Sequence, residues 1–84
     1  MKFIQVSNNR IYYFNPKETP ELVKFIASHN RLQKIEWEHW GNNIRILDVS
    51  HNMLKDITHL PDSIVELRIN ANYFKQLPKL PSKL

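Results

Sequence analysis

The chain has no cysteine, a single glycine and no long run of apolar residues. Without cysteine it cannot form disulfides, thiolate metal sites or a cysteine nucleophile, which fits a reducing compartment. Because Gly41 is its single glycine, the chain cannot contain a glycine-rich phosphate-binding loop. No segment could span a bilayer, and the first residues lack the apolar core of a signal peptide. These features predict an intracellular, cytoplasmic protein, and leave open secretion as an effector or incorporation in a virion.

Composition and charge indicate an ordinary folded domain. Of the 84 residues, 42% are hydrophobic and 24% are charged, as in ordinary soluble proteins. This length is enough for one small domain, covering 1–84, whose core contributes only marginal stability. The net charge of +4 is mild, and acidic residues are mixed among the basic ones without a stripe. Only Lys75, Lys79 and Lys83 cluster, which is typical of a solubilising edge. Neither nucleic acid nor a membrane is expected as a partner, and no cofactor is indicated.

An asparagine recurs at nearly constant spacing. Asn9, Asn30, Asn52 and Asn72 lie 21, 22 and 20 residues apart, and each occupies the same frame of five apolar positions. All twenty of these positions hold apolar residues: Met1, Ile4, Val6, Ile11 and Phe14; Leu22, Phe25, Ala27, Leu32 and Ile35; Ile44, Leu47, Val49, Leu54 and Ile57; Ile64, Leu67, Ile69, Phe74 and Leu77.

This frame is the L-x-x-L-x-L-x-x-N-x-L signature, and the whole chain resembles a leucine-rich repeat protein. The stretches 60–67 (LPDSIVEL) and 77–84 (LPKLPSKL) look like the L-P-x-L-P-x-x-L connector of the short class of bacterial effectors, whose repeats have about 20 residues. Residues 44–84 carry this pattern. Residues 22–43 have a longer connector without Leu-Pro, and residues 1–21 match only the apolar and asparagine frame.

The resemblance implies an α/β solenoid. It would be a short leucine-rich-repeat stack of about four coils, at 1–21, 22–43, 44–63 and 64–84, with a parallel β-sheet on the concave face and mostly extended, non-helical returns on the convex face. The residues point the same way, because Leu-x-Leu alternation has period two and predicts one half-buried strand per coil. Pro61, Pro78 and Pro81 favour extended returns, whereas residues 36–40 predict one helical turn with a tryptophan packed inward.

The asparagines have a structural explanation. Each must leave its strand and turn the chain inward, and its amide offers donors and an acceptor to backbone groups that the turn leaves unpaired. The resemblance implies that the equivalent side chains form a buried hydrogen-bonded ladder, made here by Asn9, Asn30, Asn52 and Asn72.

The outward strand positions are the candidate site. In the family that the chain resembles, protein ligands usually bind the concave face. The alternative is that these outward residues only form a solvated sheet face. The predicted protein-binding residues are Lys24, Ile26, His29, Ile46, Asp48, His51, Glu66 and Arg68. The apolar Ile26 and Ile46 among charges favour contact with a partner. Asp48 and Arg68 are expected to pair across adjacent strands.

Metal and catalytic sites are not supported by the pattern. His29 and His51 recur in the tripeptide Ser-His-Asn, but two imidazoles without a third ligand make an incomplete zinc site. Serine and histidine adjacent on a strand point in different directions, and no oxyanion loop is evident. The sequence therefore predicts neither a metal nor an enzyme. A pH-sensitive face, on which His29 and His51 repel each other when both are charged, stays an alternative.

The ends of the predicted stack have no polar cap, which repeat proteins generally need. We therefore expect a protein partner or a second copy to cover an open solenoid end, with a lid formed by Leu80 and Leu84 as the alternative. The possible end-interface consists of Phe74, Leu77, Leu80 and Leu84. Two functions follow: a module that binds a protein on its concave face, or a small structural subunit held by its ends in a larger assembly such as a viral or cellular particle.

Overall fold

The structure, a computed structural model, describes residues 2–77 and 80–82. These residues contain six short strands and two 3-10 turns, and none of them lies in an α-helix. The strands are β1 (Phe3–Gln5), β2 (Tyr13–Phe14), β3 (Lys24–Ile26), β4 (Lys34–Ile35), β5 (Ile46–Asp48) and β6 (Glu66–Arg68). The 3-10 turns, Pro16–Glu18 and Trp37–His39, follow β2 and β4.

The main sheet takes one strand from each predicted repeat. Strands β1, β3, β5 and β6 are parallel and pair in chain order, while β2 and β4 form a second, two-stranded parallel sheet. The register aligns equivalent positions, so that Ile4 pairs with Phe25, Phe25 with Leu47, and Leu47 with Leu67. Parallel strands separated by return segments are compatible with a solenoid. Both sheets are small and neither closes on itself.

The core lies in the middle of the chain. Its buried side chains run from Leu22 to Ile64, because a residue in an inner repeat is covered by repeats on both sides. The equivalent apolar residues of the outer repeats are only partly buried against this core. They are Ile4, Val6, Ile11, Phe14, Leu67, Ile69 and Phe74. Burial is therefore deepest in the second and third repeats.

Aromatic rings fill the core beside the second repeat. Phe14 stacks on Phe25 with ring centroids 4.3 Å apart, and Trp40 meets Phe25 edge-on at 5.7 Å. Trp37 and Trp40 are both buried, with 2% and 8% of their surface exposed. The sequence predicted one inward tryptophan, and the structure places two. The predicted helical turn is present as the 3-10 turn Trp37–His39.

Beyond β2, β4 and the two 3-10 turns, the described parts of the return segments have no regular secondary structure. In the first repeat, the Asn15 side chain accepts a hydrogen bond from Lys17 N and caps the 3-10 turn Pro16–Glu18. Pro61 and Pro81 are buried in segments without regular structure, and Pro78 lies outside the described residues. Gly41 packs directly against the main chain of Pro20: a Cβ at Gly41 would lie 2.1 Å from the Pro20 carbonyl oxygen.

A left-handed residue precedes each of the four recurring asparagines. The φ angles are 61° at Asn8, 56° at His29, 56° at His51 and 57° at Ala71. The main-chain N–H groups of the first three donate to the next repeat: His29 N, for example, donates to Ser50 O at 3.1 Å. The sharp turn out of each strand therefore has one conformation, although the residue that adopts it is asparagine, histidine or alanine.

Candidate functional site

The predicted site residues of the strands lie side by side on the open face of the main sheet. Lys24, Ile46 and Glu66 are register partners on β3, β5 and β6. The next outward row consists of Ile26, Asp48 and Arg68. Because side chains alternate along a strand, these six point away from the core residues between them. We call this set, together with Phe3 and Gln5 of β1, the open sheet face.

The middle of the open sheet face is half-buried, and its edges are exposed. Lys24, Ile26, Ile46 and Asp48 are partly covered by their neighbours, whereas Glu66 and Arg68 are exposed. Lys24 Nζ lies 5.1 Å from the centroid of the Phe3 ring, a cation–π contact that contributes about 0.5–1 kcal/mol when exposed. Two isoleucines thus stand in the centre of the face beside Lys24 and Asp48, and the border at β6 is charged while the border at β1 is neutral.

The charges of the open sheet face make local contacts. Asp48 Oδ1 accepts hydrogen bonds from Ser50 Oγ at 2.7 Å and from Ser50 N at 3.0 Å. Arg68 Nε lies 3.8 Å from Glu66 Oε2. The expected pairing of Asp48 with Arg68 is therefore wrong, because each side chain finds a partner two residues away on its own chain segment. A carboxylate fixed by Ser50 remains at the centre of the face.

Polar residues line the end of the sheet where the strands turn. The His29 and His51 rings stack with centroids 4.3 Å apart and planes within 8° of parallel. Ser7 Oγ and Ser28 Oγ lie 3.0 Å apart. Within residues 2–77 and 80–82, no group of three or more His, Cys, Asp or Glu side chains could hold a metal ion. The two predicted histidines are thus brought together as a stacked pair.

The asparagine side chains connect neighbouring repeats. Asn52 Nδ2 donates to Ala27 O at 3.0 Å and Asn52 Oδ1 accepts from Leu32 N at 3.0 Å, both in the preceding repeat. Asn52 Nδ2 also donates to carbonyls of its own repeat. The same two bonds to a preceding repeat run from Asn30 to Val6 and Ile11, and from Asn72 to Val49 and Leu54.

Burial along this row of asparagines is uneven. Asn30 and Asn52 are buried, and Asn72 is half-buried. Asn9 is exposed and bonds to the carbonyls of Val6 and Ser7 in its own repeat. The burial expected for the whole ladder is therefore wrong at Asn9, where no described repeat lies on the outer side.

The predicted end-interface is largely open. Phe74 is partly buried against the core, while 53% of Leu77 and 49% of Leu80 are exposed. Leu84 lies outside the described residues. About half of Leu80 is covered and the neighbouring Pro81 is buried, so the lid formed by Leu80 and Leu84 stays a prediction.

A second exposed surface was absent from the predicted site. It consists of the residues one and three positions after each asparagine, which alternate with buried residues just as the strands do. We call it the flank surface, and its members are Arg10, Tyr12, Arg31, Gln33, Met53, Lys55, Tyr73 and Lys75. The signal was present in the sequence, because the same period-two alternation continues past every asparagine.

Two titratable groups on the return side are shifted by their neighbours. The pKa of Glu38 is lowered, chiefly by a hydrogen bond with its own backbone and then by the Thr58 hydroxyl, which lies 3.1 Å from Glu38 Oε2. The pKa of Tyr13 is raised by desolvation and by its hydroxyl's 3.0 Å hydrogen bond to Glu36. Both contacts join one return segment to its neighbour.

Residues 43–67 match a family model described as Leucine Rich Repeat. The matched segment contains β5, Asn52 and the first residues of β6, so its geometry is the geometry described above. The match supports a leucine-rich repeat protein, a family that generally mediates protein–protein interaction without catalysis. No curated protein matches the chain. In the part of the chain that the structure describes, no helix is long and apolar enough to cross a membrane.

Proposed function

We propose that this chain is a non-enzymatic interaction module that binds a protein partner through the open sheet face. In this proposal residues 1–84 act as one domain, the four repeats stack as coils, and the open sheet face is concave. The absence of cysteine supports a reducing, intracellular setting. The binding residues are those predicted: Lys24, Ile26, His29, Ile46, Asp48, His51, Glu66 and Arg68.

One observation carries the proposal: two isoleucines share the centre of an accessible sheet face. Ile26 and Ile46 are half-buried on adjacent strands, and Lys24 and Asp48 occupy the other two corners of the same square. A β-branched apolar side chain gains little from a solvated position, whereas an interface core of apolar residues inside a charged rim is typical of protein recognition. The square therefore has the composition of a small binding centre.

The arrangement also defines the chemistry of the partner. An apolar side chain of the partner would cover Ile26 and Ile46, an acidic group would approach Lys24, and a basic group would approach Asp48. Because Ser50 already fixes Asp48, a base there meets a carboxylate of set orientation. Charge pairs at the rim then select the partner and its orientation more than they add affinity.

The test is a crosslinking capture from the native source, with the crosslinked residues mapped by mass spectrometry. The wild-type chain should give crosslinks on the open sheet face. The variant I46S/D48N should reduce capture of the same partner at least about tenfold, equivalent to about 1.4 kcal/mol. Val65→Ser, which changes an exposed apolar residue outside the strands, is the matched control and should capture normally. Capture by I46S/D48N at the wild-type level would contradict the proposal.

The second candidate, a structural subunit held by its ends, has its own supporting observation. Asn30, Asn52 and Asn72 each hydrogen-bond two main-chain groups of the preceding repeat. These are the carbonyl three residues before that repeat's asparagine and the N–H two residues after it. The equivalent groups in the last predicted repeat are Ile69 O and Phe74 N, and the same repeat contains the exposed Leu77 and Leu80. A further repeat, from this chain or another molecule, would hydrogen-bond to these two groups through its own asparagine.

The two candidates respond oppositely to substitution. L77S/L80S should weaken assembly, measured by light scattering and native mass spectrometry, while leaving capture through the open sheet face intact. I46S/D48N should do the reverse. Leu77 and Leu80 are about half-exposed, and Ile46 and Asp48 face outward on β5, so circular dichroism should report an unchanged fold for each variant. Normal assembly by L77S/L80S would remove the second candidate.

A further inference from the structure

The flank surface is a distinct face built by the register between repeats. Its residues alternate with the inward-facing Ile11, Leu32, Leu54 and Phe74, so all eight point to solvent and all eight are exposed. Main-chain bonds hold the successive repeats in line: Arg31 N to Ile11 O at 3.0 Å, Met53 N to Leu32 O at 2.9 Å and Tyr73 N to Leu54 O at 2.8 Å. Residues about twenty apart in the sequence thereby become neighbours.

The flank surface carries four cations and no acid, although the chain contains eight acidic residues. The cations form two pairs at opposite corners of the flank surface. Arg10 and Arg31 are neighbours in the row that follows the asparagines directly, and Lys55 and Lys75 are neighbours in the outer row. Like charges side by side repel each other unless an anion comes between them, so each pair favours an anionic ligand.

Apolar and neutral side chains separate the two cation pairs. A depression of about 340 Å³ lies between them, lined by Gln33, Met53, Lys55 and Tyr73. Tyr73 has 59% of its surface exposed and Met53 has 39%. Tyrosine, methionine and arginine are the side chains enriched in protein interfaces, and a depression of this kind accepts one apolar side chain.

We propose that the flank surface binds an acidic protein segment in which an apolar or aromatic side chain stands between carboxylates. The apolar side chain occupies the depression beside Met53 and Tyr73. The carboxylates on either side reach Arg31 in one pair and Lys55 in the other. This surface lies outside the open sheet face, so the inference goes beyond the proposed function and does not depend on it.

The charges around the flank surface favour a short acidic peptide over a nucleic-acid strand. The groove that adjoins the depression shares Gln33 and Lys55 with it, and in this groove the carboxylates of Glu38 and Asp56 lie among the cations Lys34, Lys55 and Lys75. A phosphate backbone needs a continuous positive track, and these carboxylates interrupt it. A peptide carries its charges at chosen positions and can avoid them.

The inference is tested by fluorescence anisotropy with defined probes. The first probe is a short fluorescein-labelled peptide that alternates aspartate and glutamate around a central phenylalanine. The second replaces the phenylalanine with serine, and the third is a labelled oligouridylate of equal charge. Binding is measured at low and high salt, because exposed ion pairs weaken as the salt concentration rises. Circular dichroism is recorded for every variant.

The variants remove equal charge from the flank surface and from elsewhere on the chain. R31Q/K55Q removes an arginine and a lysine from the flank surface, and K17Q/R45Q removes the same two residue types from exposed positions outside both the flank surface and the open sheet face. We expect the phenylalanine peptide to bind best, R31Q/K55Q to weaken it about fivefold or more, and K17Q/R45Q to change it less than about twofold. Tyr73→Ser should reduce the preference for phenylalanine over serine while preserving the salt dependence.

Three results would overturn the inference. Equal loss in R31Q/K55Q and K17Q/R45Q would show attraction to net charge without a site. Tighter binding of the oligouridylate than of the peptide would assign the flank surface to nucleic acid. Absence of peptide binding at low salt would remove the site altogether. None of these results bears on capture by the open sheet face, which I46S/D48N tests separately.

Discussion

Leu32 N donates a hydrogen bond of 3.0 Å to Asn52 Oδ1, across the boundary between the second and third repeats. Asn52 Nδ2 completes the contact by donating to Ala27 O at 3.0 Å. Both main-chain groups belong to the preceding repeat, and the asparagine is buried. Because water has little access here, no solvent molecule can take over these bonds. One side chain therefore supports the main chain of two repeats.

Replacing Asn52 with alanine should be costly. The change leaves Leu32 N and the carbonyl of Ala27 without the Asn52 amide, and an unsatisfied buried polar group costs about 1–3 kcal/mol. The total stability of a small domain is about 5–15 kcal/mol, so the loss is a large part of it. Urea unfolding followed by circular dichroism measures the difference in the free energy of unfolding.

Asn9 provides the control for Asn52. Its side chain is exposed and bonds only within its own repeat, so water can replace it. Asn9→Ala should therefore lower the free energy of unfolding by less than Asn52→Ala does. Equal losses in the two variants would mean that the contact between repeats adds nothing to stability.

Gly41→Ala should destabilise the chain by about 1–3 kcal/mol, as overpacking typically does. The added Cβ would lie 2.1 Å from the carbonyl oxygen of Pro20, which is main chain and cannot rotate away. The return segments of the first and second repeats must then separate. Thermal unfolding followed by tryptophan fluorescence measures the effect, because Trp40 is buried next to Gly41 in the chain.

Asn43→Ala is the matched control for this glycine. Asn43 is exposed two residues further along the same segment, so the substitution should change the melting temperature little. A Gly41→Ala variant as stable as the wild type would show that the two return segments are not in contact in solution.

Ala71→Asn should stabilise the chain. Ala71 has a φ of 57°, where an L-residue with a Cβ is strained, and asparagine tolerates this region better. We expect a gain of about 0.5–1 kcal/mol. The reverse change at the equivalent position, Asn8→Ala, should cost a similar amount. Chemical denaturation of both variants gives the comparison, and a loss of stability in Ala71→Asn would contradict the left-handed turn.

Glu38 should make stability depend on pH in acid. Its pKa is below its usual value of 4.5, first because of its own backbone hydrogen bond and then because of the Thr58 hydroxyl. A carboxyl whose pKa is lower in the folded chain contributes stability above its unfolded pKa. That contribution is lost as the pH falls through the folded value. The loss therefore begins below about pH 4.5 and is absent at neutral pH.

Thr58→Val tests the cause of this shift. It removes the hydroxyl that donates to Glu38 Oε2 and should raise the pKa of Glu38 toward its usual value, as read from a carbon-detected NMR titration. Thr58→Ser keeps the hydroxyl and should leave the pKa low. If both variants titrate alike, the hydroxyl does not contribute to the shift.

The register of the main sheet could be predicted from the sequence because it is set by a strict apolar frame. Slipping a strand by one residue would turn Phe25 or Leu47 outward, at the cost of burying the charged residues beside them. The frame therefore fixes which residues face outward, including Lys24 and Asp48. It says nothing about which polar groups then bond, because that depends on side chain rotamers.

Asp48 illustrates what the frame leaves out. Opposite charges on adjacent strands favoured a pair with Arg68, yet a serine two residues along the chain offers Asp48 a closer donor at lower entropic cost. Asn9 shows a second limit, because a repeated residue need not have a repeated environment at the outermost repeat. The flank surface shows a third: its cations are scattered in the sequence and become neighbours only through the register.

The concentration of the buried core between Leu22 and Ile64 also sets an order of loosening. Main-chain amides of the inner repeats, such as Ala27 N and Val49 N, should exchange with deuterium most slowly, while those of the outer repeats fray first. Ile26 and Ile46 sit on the slowly exchanging strands. A partner that binds there meets strands that are already ordered, so little of the binding free energy is lost to ordering them.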